Sequence, residues 1–327
     1  MVVQVAKPYT VELLRNFDRV PLDHTRLSVA NEYLSPWLRH GVQNIKAPAK
    51  TADEQLREPR VSLGSLVPPI PPEVLAMGAE LVQGKKFTPE YILNLIGMSE
   101  ASGRLEVRAN HINYGVLPVL RDLTGIFTEQ VMHPVLDHFA PIAVRGVLTS
   151  PRHGVMYLAR RANVSVSGAI DTYPAGVVEE GKTLVAALGA EASEEAGLTL
   201  GSSTTALLIG VSRGRTEAPN PNFNYMMETN WSLQRLTETS MSEHDRVYEV
   251  RLDEKVLQRF ILEELILPQK EHARITDAGL GAMLQFGRAY FGSAWYAETI
   301  EMLQKAHSLP EQSYPKITVI DRSNANS

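Results

Sequence analysis

The chain has 327 residues, with 32 Lys and Arg against 37 Asp and Glu and a formal net charge of -5; it carries no Lys/Arg-dense stripe, which disfavours nucleic acid as a partner. Hydrophobic residues at 44% and charged residues at 21% are the balance of a folded globular protein, which excludes wholesale disorder, and the length suits two domains or one with large additions. Cysteine is absent, which removes disulfides, thiolate metal sites and a Cys nucleophile together.

The opening MVVQVAKPYTVELLRNFDRV mixes charge and proline into its apolar residues, unlike the apolar core of a signal peptide. Nowhere does an apolar run approach the roughly 20 residues of a membrane span, so a cytoplasmic protein without membrane contact is expected. A helix is expected over residues 11–17. NIKAPAKTADEQLREPRVSLGSLVPPIPPE then accumulates Pro, Ser and charge and reads as a loop or extended connector. PEVLAMGAELV and TPEYILNLIGM read as helices, the second with Thr88 as N-cap and Pro89 at the first helical position. GRLEVRANHINYG and GVLPVLRDL read as strands.

A second block begins near Phe139, where PIAVRGVLTSPRHGVMYLARRA is a hairpin signal turned at residues 150–154. A helix follows, with Thr183 as N-cap and Gly197 just past its end. TALLIGVSRGR, NFNYMMETNWSL and DRVYEVRLDE are the next strands. The end of the chain is helical over DEKVLQRFILEEL, TDAGLGAMLQFGRAYF (Thr276 as N-cap) and AWYAETIEMLQKA, before a polar tail expected to fray. Strands on both sides of one helix indicate an α+β or α/β sandwich.

The helix after Thr183 crowds Glu191, Glu194 and Glu195 into its last turn. That placement opposes the helix dipole, and like charges three or four residues apart repel by roughly 0.2–0.5 kcal/mol per pair. The i, i+3, i+4 spacing lets all three reach one side, where their oxygens could gather a hard cation such as Mg²⁺; the alternative is a solvated acidic face. Other patterns carry less: His133 and His138 do not share a helical face, GSSTT lacks the Gly-Lys of a phosphate loop, and no G-x-S-x-G elbow occurs.

The stretch YPAGVVEEGKTLVAALGAEASEEAGL resembles the Nudix box, G-x5-E-x7-R-E-U-x-E-E-x-G-U, where U is a bulky apolar residue. Gly176, Glu191, Glu194, Glu195, Gly197 and Leu198 stand at the box spacings, with Ala192 a small residue at the first U. YPAG resembles the Pro-Gly-Gly that leads into the box, Glu179 falls where many members carry an extra acid, and VMYLARRA resembles the preceding strand. Two positions depart together: Lys182 replaces the first Glu and Ala190 the Arg. Those side chains pair in the family, so their joint loss orphans no charge. Lys182 brings a cation near the carboxylates, either lowering metal affinity or pairing with Glu179 or Glu180.

The resemblance implies an α/β/α sandwich over residues 139–264. An N-terminal α/β region of unknown role (1–138) would precede it, with C-terminal helices and the polar tail (265–327) after it. It also implies a Mg²⁺-dependent pyrophosphohydrolase, with Mn²⁺ able to replace Mg²⁺, acting on a small nucleotide conjugate such as ADP-ribose or a nucleotide sugar. The alternative is a nucleotide-binding or sensor protein of the same fold with weak or no turnover. Hydrolysis of a diphosphate needs phosphate charge neutralised and a water activated, and carboxylate-held divalent metals do both. Glu194 and Glu195 are then the first metal ligands, Glu191 a ligand or water-orienting base, and the Ala175 carbonyl a further ligand. Glu243 is the expected additional carboxylate from a later loop. Arg161 resembles a substrate-phosphate contact; its other reading is an exposed strand-end charge. Glu179, Arg213, Arg215 and Phe223 are expected at the substrate, the last three around the SRGRTEAPNPNFN loop. The N-terminal region is expected to shape the pocket or to mediate a homodimer.

Overall fold

The computed structural model describes residues 9–34, 70–82, 90–101, 104–162, 168–214, 220–238, 243–263, 265–266, 271–272, 274–307 and 317–321. The chain divides into two compact units. Met1–Leu22, Ala143–Gly176 and Leu184–Ser327 make the larger; Asp23–Ile142 and Val177–Thr183 make the smaller. Most of the expected connector over residues 44–73 lies outside the described residues.

The first strand, β1 (Tyr9–Val20), belongs to the larger unit. In the smaller unit, β2 (Thr25–Leu34) is followed by helix α1 (Pro72–Val82), where a helix is expected. Next come β3 (Tyr91–Ala101), β4 (Arg104–Asn113), α2 (Val116–Ile126) and α3 (Glu129–His138). β4 is the central strand of a sheet ordered β2-β4-β3, parallel to β2 and antiparallel to β3.

Two of these elements reverse the sequence expectation. TPEYILNLIGM, read as a helix, supplies β3; Tyr91, Ile92 and Leu93 are buried in succession, and such a short aromatic and β-branched run does not separate helix from strand by period alone. Thr88 and Pro89, its expected cap, lie outside the described residues. GVLPVLRDL, read as a strand, is α2. Val116, Val119, Leu120 and Leu123 form a buried helical stripe, and Pro118 falls in the first turn, where a helix has no hydrogen bond for it to break.

The larger unit resumes with the expected hairpin, β5 (Ala143–Ser150) and β6 (Val155–Arg161). Short strands β7 (Ile170–Asp171) and β8 (Ala175–Val177) lead to helix α4 (Leu184–Ala196). Then come β9 (Thr204–Gly214), β10 (Pro221–Thr229), α5 (Leu233–Glu238), β11 (His244–Arg251) and α6 (Glu254–Glu263). Two-residue strands β12 (Leu265–Ile266) and β13 (Glu271–His272) pair with each other ahead of α7 (Asp277–Phe291), α8 (Ser293–His307) and β14 (Ile317–Asp321).

The main sheet runs β11-β6-β5-β10-β9-β1-β14, with β7 beside β6 and β8 beside β5. Residues 11–17, expected as a helix, are therefore strand. β1 bonds antiparallel to β9 and parallel to β14, and a ladder on both sides outweighs a local preference worth tenths of a kcal/mol per residue. The expected polar tail is corrected in the same way: Ile317–Asp321, rich in β-branched residues, forms β14. Strands from the expected N-terminal region and C-terminal extension thus share the sheet of residues 139–264.

Helix α7 is buried along eleven successive residues, Asp277 to Gly287. It packs across β9, β1, β10 and β5 on one side and against α8 and α6 on another. Leu280, Leu284 and Phe286 join Val147, Ile209 and Met226 in the core; full burial of such a side chain stabilises by about 1.5–3 kcal/mol. As expected, Thr276 caps α7, its Oγ1 accepting the Gly279 N–H at 3.0 Å. With α4 packed on β5, the architecture is α+β, helices layered on a mixed sheet. Among the described residues no helix is long and apolar enough to cross a membrane.

Candidate active site

Helix α4 ends as its sequence requires. Gly197 has φ 64 and donates its N–H to the Ser193 carbonyl at 3.1 Å, a left-handed cap that a side chain would strain. Leu184, Ala187, Leu188, Ala192 and Ala196 form the buried face, and Glu195 stands among them at 4% exposure. Its Oε2 accepts the Ala175 N–H at 2.9 Å. Burial pushes the Glu195 carboxyl up to about 8; the Ala175 N–H opposes this, Glu191 and Glu243 add to it, and Arg161 opposes it. Glu195 therefore binds a proton at neutral pH unless positive charge arrives.

Glu191, one turn earlier and half-buried, presses against the backbone of β8. A Cβ on Gly176 would come within 1.9 Å of Glu191 Oε1, so this approach is open only to glycine. The spacing of Gly176 and Glu191 in the sequence is thus a contact in space. Glu194 points off the buried face and is exposed. Glu243 lies just before β11, its carbonyl accepting the Ala162 N–H at 2.9 Å. Pairing of β11 with β6 sets His244 opposite Arg161 and brings Glu243 into electrostatic reach of Arg161 and Glu195.

Arg161 is not simply a strand-end charge. Its side chain is 19% exposed and donates to Asp171 Oδ2 at 2.8 Å. Burial alone would lower its pKa, but Asp171 more than compensates and leaves it raised. Asp171 also pairs with Arg145, whose guanidinium donates to the Thr172 carbonyl at 2.9 Å. Burial would push the Asp171 carboxyl up, yet the two guanidiniums hold it below the usual carboxylate range. Burial presses His244 down to about 4, so its ring is neutral at pH 7, and Tyr173, packed against that ring, is pushed up by burial.

The structure thus gathers Glu191, Glu195, Glu243, Arg161 and the Ala175 backbone, and adds Asp171, Tyr173 and His244. Sequence reading missed these three, because a lone Asp, Tyr or His on a strand carries no spacing signal. Other expected positions fall elsewhere. Arg213 lies in β9 rather than in the loop, 6% exposed, with Nε and Nη2 on Glu12 Oε2 at 3.0 and 2.8 Å. Phe223 lies in β10 and is fully buried. Glu179 belongs to the smaller unit, where its carboxylate pairs with Lys182 at 2.7 Å. Arg215 lies outside the described residues.

Whether these residues suit a metal follows from the donor chemistry. Glu191, Glu195 and Glu243 offer only oxygens, and burial, with Glu191 and Glu243 adding to it, keeps Glu195 protonated; a hard divalent cation would oppose that. Among the described residues, no three His, Asp or Glu side chains stand close enough together to hold a metal ion. The donor types are those a hard cation takes, but their present spacing does not form a site for one.

No family model and no curated protein matches the chain. Among solved structures it is similar to the DR0079 protein of Deinococcus radiodurans, at 16% identity over 46% of this chain and 83% of that one, with a TM-score of 0.34. It is similar also to the dihydroneopterin triphosphate pyrophosphohydrolase of E. coli, at 16% identity over 45% of this chain and 94% of that one, TM-score 0.29. A Nudix hydrolase from Nitrosomonas europaea matches at 14% identity over 45% of this chain and 88% of that one, TM-score 0.30.

Proposed function

We propose that the larger unit is a Mg²⁺-dependent hydrolase of Nudix type that cleaves a small nucleoside diphosphate conjugate of the ADP-ribose or nucleotide-sugar class. The observation that carries this reading is the buried carboxylate of Glu195, at the end of a helix with the box pattern and within electrostatic reach of Glu191, Glu243 and Arg161. A carboxylate kept from water beside two others is costly for the fold, and it makes sense as a ligand awaiting positive charge.

Glu195 and Glu191 would hold the cation with the Ala175 carbonyl, and Glu194 would reach it from the solvent side. The bound cation would neutralise phosphate charge and lower the pKa of the attacking water. Glu243 would take the proton that water loses. Arg161, already oriented by Asp171, would donate to a phosphate oxygen. Arg213 and Phe223 take no part here, being engaged by Glu12 and the core. The Lys182–Glu179 ion pair favours a second reading, nucleotide binding without turnover, since the chain's own ammonium already neutralises one acid of the box.

The deciding experiment incubates the protein with ADP-ribose, sugar nucleotides and capped RNA, with Mg²⁺ and with EDTA, and follows release of a nucleoside monophosphate. Mg²⁺-dependent cleavage of a small conjugate is expected. Decapping alone would overturn the substrate class, and tight binding of one compound without cleavage would favour the second reading.

A further inference from the structure

Three buried polar atoms of this region have no hydrogen-bond partner among the described residues: Tyr173 Oη, His244 Nδ1 and Arg161 Nε. They belong to one neighbourhood. The Tyr173 and His244 rings stand 5.7 Å apart between centroids, tilted by 51°. His244 faces Arg161 across the β11–β6 ladder, and both Tyr173 and Arg161 lie within electrostatic reach of Glu195. Tyr173 is 0% and His244 7% exposed.

Several polar groups of the surrounding segment are already committed. Asp171 is taken by two arginines, and the Thr172 carbonyl by Arg145. The Pro174 carbonyl accepts the Gly146 N–H at 2.7 Å, and the Ala175 N–H goes to Glu195. A buried hydroxyl without a partner costs free energy that an apolar ring of the same shape would avoid, and phenylalanine would fill the Tyr173 position equally well. Three such atoms side by side suit a shared occupant. All three are shielded from solvent, so the occupant is no larger than a water, which takes two to four polar partners in such a place.

We propose that Tyr173 and His244 are positioning residues for Glu195: with Arg161 they enclose one ordered water, and that water fixes the Glu195 carboxylate for the cation. The inference rests on the hydrolase reading of this site, and it adds two residues which the box pattern does not contain. Tyr173 offers a donor and an acceptor, His244 Nδ1 either one according to tautomer, and Arg161 Nε a donor. Three partners leave the water one further hydrogen bond for the carboxylate.

The test has a structural arm and a functional arm. A high-resolution crystal structure should show a water within hydrogen-bond distance of both Tyr173 Oη and His244 Nδ1; direct bonding of these atoms to protein groups, or no water between them, overturns the proposal. Tyr173→Phe should lower kcat about 10–100-fold with KM changed less than about twofold, as loss of an outer-shell partner does. Its thermal midpoint should fall only slightly, because the loss is confined to the one hydrogen bond from the hydroxyl to the water. His244→Asn, which keeps a polar atom near Nδ1, should retain more activity than His244→Leu. Wild-type kcat in Tyr173→Phe, or a loss of kcat that only follows a large loss of stability, counts against positioning. Should the wild type cleave no substrate, the hydrolase reading fails by itself. The crystal structure then still decides the water, and calorimetric Mg²⁺ affinity of Tyr173→Phe decides whether the pair acts on Glu195.

Discussion

Replacing Asp171 by asparagine tests the electrostatic frame behind the site. The Asp171 side chain is 1% exposed and faces Arg145 and Arg161, whose side chains are 5% and 19% exposed. Asparagine keeps the shape but removes the charge, which leaves the Arg145 guanidinium in the interior without its anion. Breaking a buried pair in this way costs about 3–5 kcal/mol, and two guanidiniums sharing one carboxylate place the expected loss at the upper end. Urea unfolding of the full chain, followed by fluorescence and circular dichroism, measures it, with the transitions of the two units fitted separately. Asp171→Leu combined with Arg145→Met should recover part of the loss, with a coupling on the order of 0.5–3 kcal/mol, since it leaves only the part-exposed Arg161 without its anion. Acid adds an independent check. Burial alone would raise the Asp171 carboxyl, but the guanidiniums hold it below its ordinary 3.8. Its contribution is therefore complete above that value and disappears as pH falls through the lower folded pKa, so the wild type should lose it only below about pH 4. Asp171→Asn should lack that step. A loss under about 1 kcal/mol, the range of an exposed pair, or strict additivity in the double variant, would refute the reasoning.

Glu195→Gln should abolish Mg²⁺-dependent release of nucleoside monophosphate while far-UV circular dichroism stays unchanged, because glutamine can still accept the Ala175 N–H; wild-type turnover in both this variant and Glu194→Gln would remove the metal assignment. Gly176→Ala should displace Glu191, whose Oε1 would lie 1.9 Å from the new Cβ, with little loss of stability because the end of a flexible side chain can swing aside, while weakening Mg²⁺ binding in calorimetry; unaltered affinity would mean Glu191 is not a ligand. Arg213→Met, which removes both hydrogen bonds to the buried Glu12, should cost about 3–5 kcal/mol in denaturant titration and leave KM of the folded fraction unchanged; a changed KM at wild-type stability would place Arg213 at the substrate.

The helix with its three acids, the hairpin before it and the capped helix after Thr276 were legible because each rests on local chemistry: caps, turn residues and a period. The failures were long-range. Residues 11–17 carry apolar side chains that a short window assigns to a helix, and only β9 and β14, nearly two hundred residues or more away along the chain, make them a strand. The β-branched residues of GVLPVLRDL suggested a strand, whereas Val116, Val119, Leu120 and Leu123 form the buried stripe of a helix. At the site, Glu191 and Glu195 were readable by spacing, and the structure adds why Gly176 must accompany them. Arg213 and Phe223 were expected at the substrate, but their side chains turn to the buried Glu12 and to the core. Asp171, Tyr173 and His244 were invisible, because their partners come from other strands.

The parallel pairing of β1 with β14 ties Tyr9 to Ile317 and Leu13 to Asp321. A chain emerging from the ribosome therefore carries β1 for nearly its whole synthesis before that partner exists. The smaller unit, made almost entirely of one continuous stretch between the first strand and β5, can close while translation continues, whereas the sheet of the larger unit keeps one strand waiting and α7, the helix at the centre of its core, arrives late. During that interval β1 presents unsatisfied backbone groups to solvent. Stalled or truncated chains ending before α7 would then be natural clients for chaperones, with a nascent protein half folded and half open at its most apolar surface.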